Sequence, residues 1–328
     1  YNIGGTDMII VTGGAGFIGS CVVRSLNDRG IDDIIIVDNI AETDKWRNMA
    51  NKRYIKYYNR DEFLEHLPEY AGRVTNVFHL GACSATTERN FDYLYKNNLE
   101  YTKTLWKFCA DNNASFVYAS SAATYGDGSQ GFDDKADIDN YLPLNGYGYS
   151  KQLFDIWVKK ELAAGNKAPR QHAGLKFFNV YGPNEYFKGS MASVIMHGFN
   201  QIKERGYIGL FKSYKEGYED GGQLRDFVYV KDVCNVMMFL MDNPDVSGLF
   251  NVGTGKARSF YDLAASVFAA LGIDKDIRFI DMPETLRPKY QYFTEAKMDK
   301  LREAGYDKPL YSLEEGAKDY VQNYLDKD

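Results

Sequence analysis

The chain is poor in cysteine, histidine, long apolar runs and clustered positive charge. Its four cysteines, Cys21, Cys83, Cys109 and Cys234, lie far apart in 328 residues and form no C-x-x-C pair. That excludes a disulfide framework and reads as free thiols in a reducing cytoplasm. The four histidines show neither H-E-x-x-H nor clustered spacing, so no structural or catalytic metal is expected. No apolar run approaches a membrane-spanning length, and no secretory pattern opens the chain, so neither a membrane nor an export role is expected. A net charge of −6 without any basic block opposes binding to nucleic acid through its phosphates. The 26 tyrosines are scattered and form no stacking platform. The opening YNIGGTD has neither pattern nor apolar content and reads as a loose tail.

What is present suits one large or two modest globular domains: 45% hydrophobic and 26% charged residues over this length support a sizeable core. Met8 to Thr12 is a short β-branched run, followed by glycines and then by helical spacing at Phe17, Cys21 and Leu26, with Gly30 as a helix stop. DIIIVD, YIKYYN, VTNVFHLGA, ASFVYASS and GLKFFNV read as further strands, with helical patterns in RDEFLEHLPEYAG and over 91–112. This alternation predicts an α/β fold with a doubly wound parallel (Rossmann) sheet. Past residue 180 the loops lengthen. FVYV, KDVCNVMMFLMDN and GLFNVGT are expected to return to the large sheet, and the remainder to form short helices around IRFID. Residues 8–178 with 225–256 are expected to form the dinucleotide-binding domain. Residues 179–224 with 257–328 are expected to form a smaller, discontinuous substrate-binding region.

Gly14, Gly16 and Gly19 make G-x-G-x-x-G between a strand and a helix, and Gly13 extends it. Only glycine lets the backbone turn sharply, approach a pyrophosphate and aim helix N-terminal N–H groups at it. Asp38 ends the second strand at about the ~20-residue separation of a ribose-binding acid, which favours NAD. Lys45 and Arg60 follow the second and third strands. Either they are solvated surface cations or they compensate a 2′-phosphate, which leaves NADP and NAD both open.

NGYGYSK places Tyr147 and Lys151 four residues apart, on one helix face. An ammonium beside a phenol is expected to draw its pKa from ~10 toward neutrality and make Tyr147 an acid/base. Tyr149, two residues from Lys151, points elsewhere. Ser121 ends the fifth strand, where open α/β sheets bind ligands, and can bond a substrate hydroxyl or cap a turn. Its neighbours Ala122 and Ala123 offer no carboxylic acid to expel a hydroxyl, which speaks against dehydration. Lys188, in the loop NEYFKGSMAS, is either a phosphate anchor, a surface charge or a second reactive group.

GGAGFIG, HLGA, SSAATYG and YGYSK resemble the extended short-chain dehydrogenase/reductase group of nucleotide-sugar epimerases, dehydratases and reductases. Within that group the ordered set HLGACSATTE, PLNGYGYSKQLFD, FNVYGPNEYFKGSMAS, RDFVYVKDV and AGYDKP is similar to the ADP-heptose 6-epimerase family along nearly the whole chain. The resemblance implies an NADP-dependent isomerase that inverts C6 of an ADP-sugar for lipopolysaccharide heptose. It also implies a cytoplasmic homo-oligomer, a pentamer in that family. It puts Tyr147, Lys151, Ser121 and Lys188 on catalytic positions. It puts Gly13, Gly16, Phe17, Ile18, Gly19, Asp38, Asn39, Lys45, Arg60, Leu80, Gly81, Ala82, Cys83, Ser84, Asn97 and Val180, with Tyr147, Lys151 and Lys188, on cofactor-contacting ones. Asn179, Ser190, His197, Arg225 and Tyr290, with Ser121, fall on substrate-contacting positions. Leu80 stands where relatives can carry a polar residue, and the loop before Arg225 is longer than usual, so contacts from 211 to 224 are not carried over.

An inverted carbon bearing H, OH and carbon substituents suits transient oxidation. Hydride leaves, the planar carbonyl turns over, and hydride returns to the other face. A carbonyl oxygen with two orientations calls for a proton-transfer group near each, here Tyr147 and Lys188. The rival readings are a UDP-hexose 4-epimerase or a reductase of the same group, and a non-catalytic dinucleotide sensor, which has no need of Ser121, Tyr147 and Lys151 together.

Overall fold

The computed structural model describes residues 8–327; the opening segment read as a loose tail lies outside them. The strands are β1 (Met8–Thr12), β2 (Ile34–Asp38), β3 (Lys56–Asn59), β4 (Val74–His79), β5 (Ser115–Ser121), β6 (Gln171–Phe177), β7 (Asn179–Tyr181), β8 (Ile208–Phe211), β9 (Leu224–Arg225), β10 (Phe227–Tyr229), β11 (Gly248–Val252), β12 (Arg258–Ser259) and β13 (Ile277–Ile280). Seven of them form one parallel sheet in the order β3-β2-β1-β4-β5-β6-β11.

Parallel strands joined by crossover helices are covered on both faces, which is why they read as continuous apolar runs. Successive residues of β1 and β2 supply opposite cores. Ile9, Val11, Ile34 and Ile36 face one, and Met8, Ile10, Ile35 and Val37 face the other. The helices that matter for the site are α1 (Phe17–Asp28), α2 (Arg60–His66), α3 (Phe91–Leu94), α4 (Tyr101–Asp111), α5 (Gly146–Ala163), α6 (Val194–Arg205), α7 (Val230–Asp242) and α8 (Phe260–Leu271). α1 packs on α7 over the first core. The second core is filled by Leu105, Trp106 and Cys109 of α4 and Phe154 and Val158 of α5.

GLFNVGT joins the large sheet, pairing with β6 from Gly248 to Val252, as its pattern suggests. FVYV does not. Phe227–Tyr229 pairs with β7 in a separate two-stranded sheet, because β6 already has β5 on one side and β11 on the other. The C-terminal segment is also more regular than expected. α8 is a full 12-residue helix whose N-terminus carries a capping box from Ser259 and Asp262, and IRFI is a strand paired with β8.

The order of the strands reverses between β1 and β4, and there the chain ends of both strands open into a crevice. The turn after β1 is packed backbone to backbone. A Cβ on Gly19 would lie 2.1 Å from the Gly13 carbonyl oxygen, and one on Gly13, at φ +68°, would lie 2.7 Å from the Gly81 nitrogen. Gly19→Ala is therefore expected to cost about 3 kcal/mol or more. Gly30→Ala, at φ +78° with nothing within 4 Å, is expected to cost about 1–2 kcal/mol for the left-handed backbone alone. Urea unfolding of the two variants checks the difference. Equal losses would show that the close contact at Gly19 does not govern the turn.

Candidate active site

A cleft of about 750 Å³ lies over the C-terminal ends of β1, β4 and β5. Its floor is the glycine turn. Gly16 caps α1 without a side-chain acceptor, so the first N–H groups of that helix face the cleft unclaimed by a side chain. With no Cβ above them, these donors fit a pyrophosphate.

Asp38, buried at the end of β2, holds the turn. Its Oδ2 accepts from the Ala15 N–H at 2.9 Å, and its Oδ1 accepts from the Asn39 N–H and the Lys45 ammonium, both at 2.7 Å. Lys45 thus neutralises the acid expected to select a ribose hydroxyl. Arg60 also lines the cleft, its guanidinium held by Asp61 and by the Tyr93 hydroxyl.

Behind the turn lies a closed hydrogen-bond chain. Thr102 donates its hydroxyl proton to the Asn98 carbonyl, so its oxygen accepts from His79 Nε2–H at 2.8 Å. His79 Nδ1 then accepts from the Thr12 hydroxyl at 2.6 Å, and Thr12 accepts from the Gly81 N–H at 3.1 Å. Proton counting along the chain assigns a neutral Nε2–H imidazole. Burial, with the Lys151 charge as a smaller cause, lowers His79 to about 3.

The candidate group Ser121, Tyr147 and Lys151 is assembled where α5 passes the end of β5. Asn145 caps α5, accepting from the Gly148 N–H, which starts the helix just before Tyr147. Ser121 caps the turn after β5. Its oxygen accepts from the Ala123 N–H at 3.1 Å, and its hydroxyl hydrogen-bonds the Tyr147 phenol. The expected Lys151 effect on the phenol is corrected here. The Lys151 ammonium donates to the Ala119 carbonyl at 2.8 Å, and burial lowers it to about 8. Burial pushes Tyr147 up, with Ser121 opposing. Desolvation of the phenol is the largest cause.

Lys188 enters from the opposite wall. Its ammonium lies 5.3 Å from the centre of the Phe17 ring, and it has no ion pair among the described residues. Burial lowers its pKa, and the Glu185 charge works against that.

One cleft therefore brings together Gly13, Gly16, Phe17, Ile18, Gly19, Asp38, Asn39, Lys45, Arg60, Leu80, Gly81, Ala82, Ser84, Asn97, Ser121, Tyr147, Lys151, Asn179, Val180 and Lys188. Cys83, Ser190, His197, Arg225 and Tyr290 do not line it. The Cys83 backbone is instead clamped by Asn98. Arg225 is buried against the rings of Tyr290 and Phe260, at 5.4 and 5.6 Å, and Phe260 is itself part of the cleft wall. Its guanidinium donates to the Leu224 carbonyl and has no carboxylate partner among the described residues.

Four residues of the site escaped the sequence reading. Asp155 and Lys176 form a fully buried ion pair at 2.9 Å beneath the reactive group. Asp155 also accepts from the Ser120 and Tyr118 hydroxyls, and Lys176 donates to Thr124, which bonds the Ser121 carbonyl. Such a pair adds little net stability but fixes geometry, here α5 against β6 and, through the Ser120, Tyr118 and Thr124 bonds, against the end of β5. The signals were a lone lysine inside the apolar GLKFF and an aspartate one turn beyond Lys151. Asn48 has no local signal, since it acts only through the distant Ala15 and Asn184 carbonyls, whereas Glu185 bonds Gly182 and Ser193 within its own loop.

A family model described as NAD dependent epimerase/dehydratase family matches residues 9–253, and the chain belongs to that family. More specifically, it is 54% identical to the ADP-L-glycero-D-manno-heptose-6-epimerase of Fusobacterium nucleatum, over 98% of this chain and 99% of the relative. The protein of the same name from Nitratidesulfovibrio vulgaris is 53% identical over 97% and 98% of the two chains. Among solved structures, the Helicobacter pylori ADP-L-glycero-D-manno-heptose-6-epimerase superposes with a TM-score of 0.79 at 27% identity, covering 96% of this chain and 95% of that one.

The neutral, buried His79 makes a pH prediction. In the unfolded chain it titrates near 6.5, and in the fold near 3. Below pH 6.5 the unfolded state binds more protons, so stability falls as pH falls, by about 1.4 kcal/mol per unit from this group. The stability gap between wild type and His79→Asn should therefore narrow by about 2 kcal/mol between pH 7 and pH 5 in urea unfolding. A constant gap would mean that His79 is not held neutral.

Proposed function

We propose that this protein is an ADP-L-glycero-D-manno-heptose 6-epimerase, an isomerase using a bound nicotinamide dinucleotide, with NADP as the preferred form. The observation that carries the reading is that a phenol with its lysine and serine on one wall and a desolvated lysine on the other share one cleft with the glycine turn. The level of identity to relatives of that name, over nearly full length, supports the substrate class.

The residues fit the cofactor: the Cβ-free turn and the open α1 terminus accept a pyrophosphate, and Lys151 and Asn97 stand by for the nicotinamide half. Bound there, the cofactor supplies a reversible hydride acceptor and a positive charge that favours phenolate. Tyr147, oriented by Ser121, removes or returns the hydroxyl proton in one pose of the sugar. Lys188, held at low polarity and so able to lose its proton, serves the carbonyl oxygen in the other pose. Arg225, buried without a carboxylate, suits the substrate's anionic diphosphate. The Asp38–Lys45 pair removes the repulsion a bare carboxylate would exert on a 2′-phosphate, which supports NADP.

Tyr147→Phe and Lys188→Met should each lower turnover about 10²–10⁴-fold in a proton-NMR assay of ADP-heptose epimers, with cofactor still bound. In heavy water the product should carry no deuterium at C6. Solvent deuterium there would replace hydride transfer by proton abstraction from carbon, and near-normal turnover of Lys188→Met would remove that lysine from the chemistry. Lys45→Met should lower the NADP/NAD affinity ratio about tenfold or more, the loss of one charge-assisted contact, as measured by titration of cofactor-stripped protein. An unchanged ratio would take Lys45 out of cofactor selection.

A further inference from the structure

The loop that carries Lys188 leaves β7 after Tyr181 and returns at Ser193, the N-cap of α6. Glu185 is fully buried at its centre, 0% exposed. One carboxylate oxygen accepts from the Ser193 hydroxyl at 2.6 Å and from the Gly182 N–H at 3.3 Å; the other accepts from the Ser193 N–H at 2.6 Å. A single carboxylate therefore ties the two ends of the loop together. Lys188 sits three residues on, its N–H bonded to the Glu185 carbonyl at 3.0 Å and its own carbonyl bonded by the Met191 N–H at 3.0 Å.

The far side of the loop is pinned as well. Asn184, in the left-handed region at φ 77°, donates to Ser20 in α1, and its carbonyl accepts from Asn48. Asn48 also donates to the Ala15 carbonyl of the glycine turn. With the backbone held this way, the Lys188 side chain lies over Phe17 and lines the cleft.

We propose that Glu185 is a positioning residue for Lys188: it closes the loop on itself so that the ammonium is presented to the substrate oxygen. This rests on the reading of Lys188 as the second proton-transfer group. The carboxylate is required rather than an amide. Three donors converge on two oxygens, and a glutamine would turn its NH₂ toward one of them. The negative charge also favours the protonated form of a lysine that burial disfavours.

The test is a pair of double-mutant cycles on the full-length holoenzyme, with turnover of ADP-heptose epimers as the readout. Glu185→Gln should lower kcat about 100-fold, the cost of misplacing a reacting group by about an ångström, while KM and bound cofactor stay within about threefold. Combined with Lys188→Met, the same change should lower the residual kcat by less than about twofold, because residues acting as a unit are non-additive. If Glu185→Gln does not fold, Ser193→Ala, which removes one of the three donors, carries the same comparison with an expected loss of about fivefold. Equal losses in the wild-type and Lys188→Met backgrounds would overturn the proposal and leave the Lys188 reading standing. Near-normal turnover of Lys188→Met alone would overturn both.

Discussion

The structure depends on a contact between two stretches of bare backbone. Gly19, in the first turn of α1, sits against the carbonyl of Gly13, and Gly13 in turn sits against the backbone of Gly81. No side chain fits in either gap. That closeness brings the N-terminus of α1, the end of β1 and the end of β4 to one point, the place where strand order reverses. The His79 chain reinforces it from below, joining Gly81, Thr12, Thr102 and Asn98 without a net charge. A dinucleotide cleft follows from this geometry before any reactive residue is considered.

Three buried or half-buried lysines then divide the work by the company they keep. Lys176 is fully buried and paired with Asp155, so it ties β6 to α5 and, through Thr124, to the turn after β5. Lys151 is buried against a carbonyl rather than a carboxylate, and its pKa falls to about 8. Lys188 has an aromatic face and no carboxylate in contact, and burial acts on it with only Glu185 opposing. The same side chain is a strut in the first case, and burial lowers its pKa in the second and third. Desolvation and the absence of a contacting carboxylate account for both shifts.

Much of this was legible in the order of residues. The glycine spacing behind a β-branched run, the Tyr147–Lys151 interval and the apolar strand runs are local patterns with local causes. A turn needs glycine where it turns, a helix repeats its face every three or four residues, and a doubly covered strand is apolar throughout. The family resemblance extended this to Lys188, Lys45 and Arg60, and all three do line the cleft. The sheet partner of FVYV was not legible, because it depends on which edge of β6 was still free once β5 and β11 had taken their places.

Sequence alone thus determined the fold class, the dinucleotide turn and the pairing of Tyr147 with Lys151 on one helix face, since each is set by neighbours within a few residues. Only the tertiary structure decided the protonation and the orientation of the side chains in the cleft. Whether Tyr147 is pushed up turns on how far the fold buries the phenol, with Ser121 working against it. Whether Asp38 faces a ligand bare or already paired turns on where Lys45 lands, and the tie that seats Lys188 joins the loop's own ends with α1 and the glycine turn, segments up to 169 positions apart in the chain (Ala15 to Asn184). Charge and desolvation act through space, and spacing along the chain does not encode which distant segments will meet.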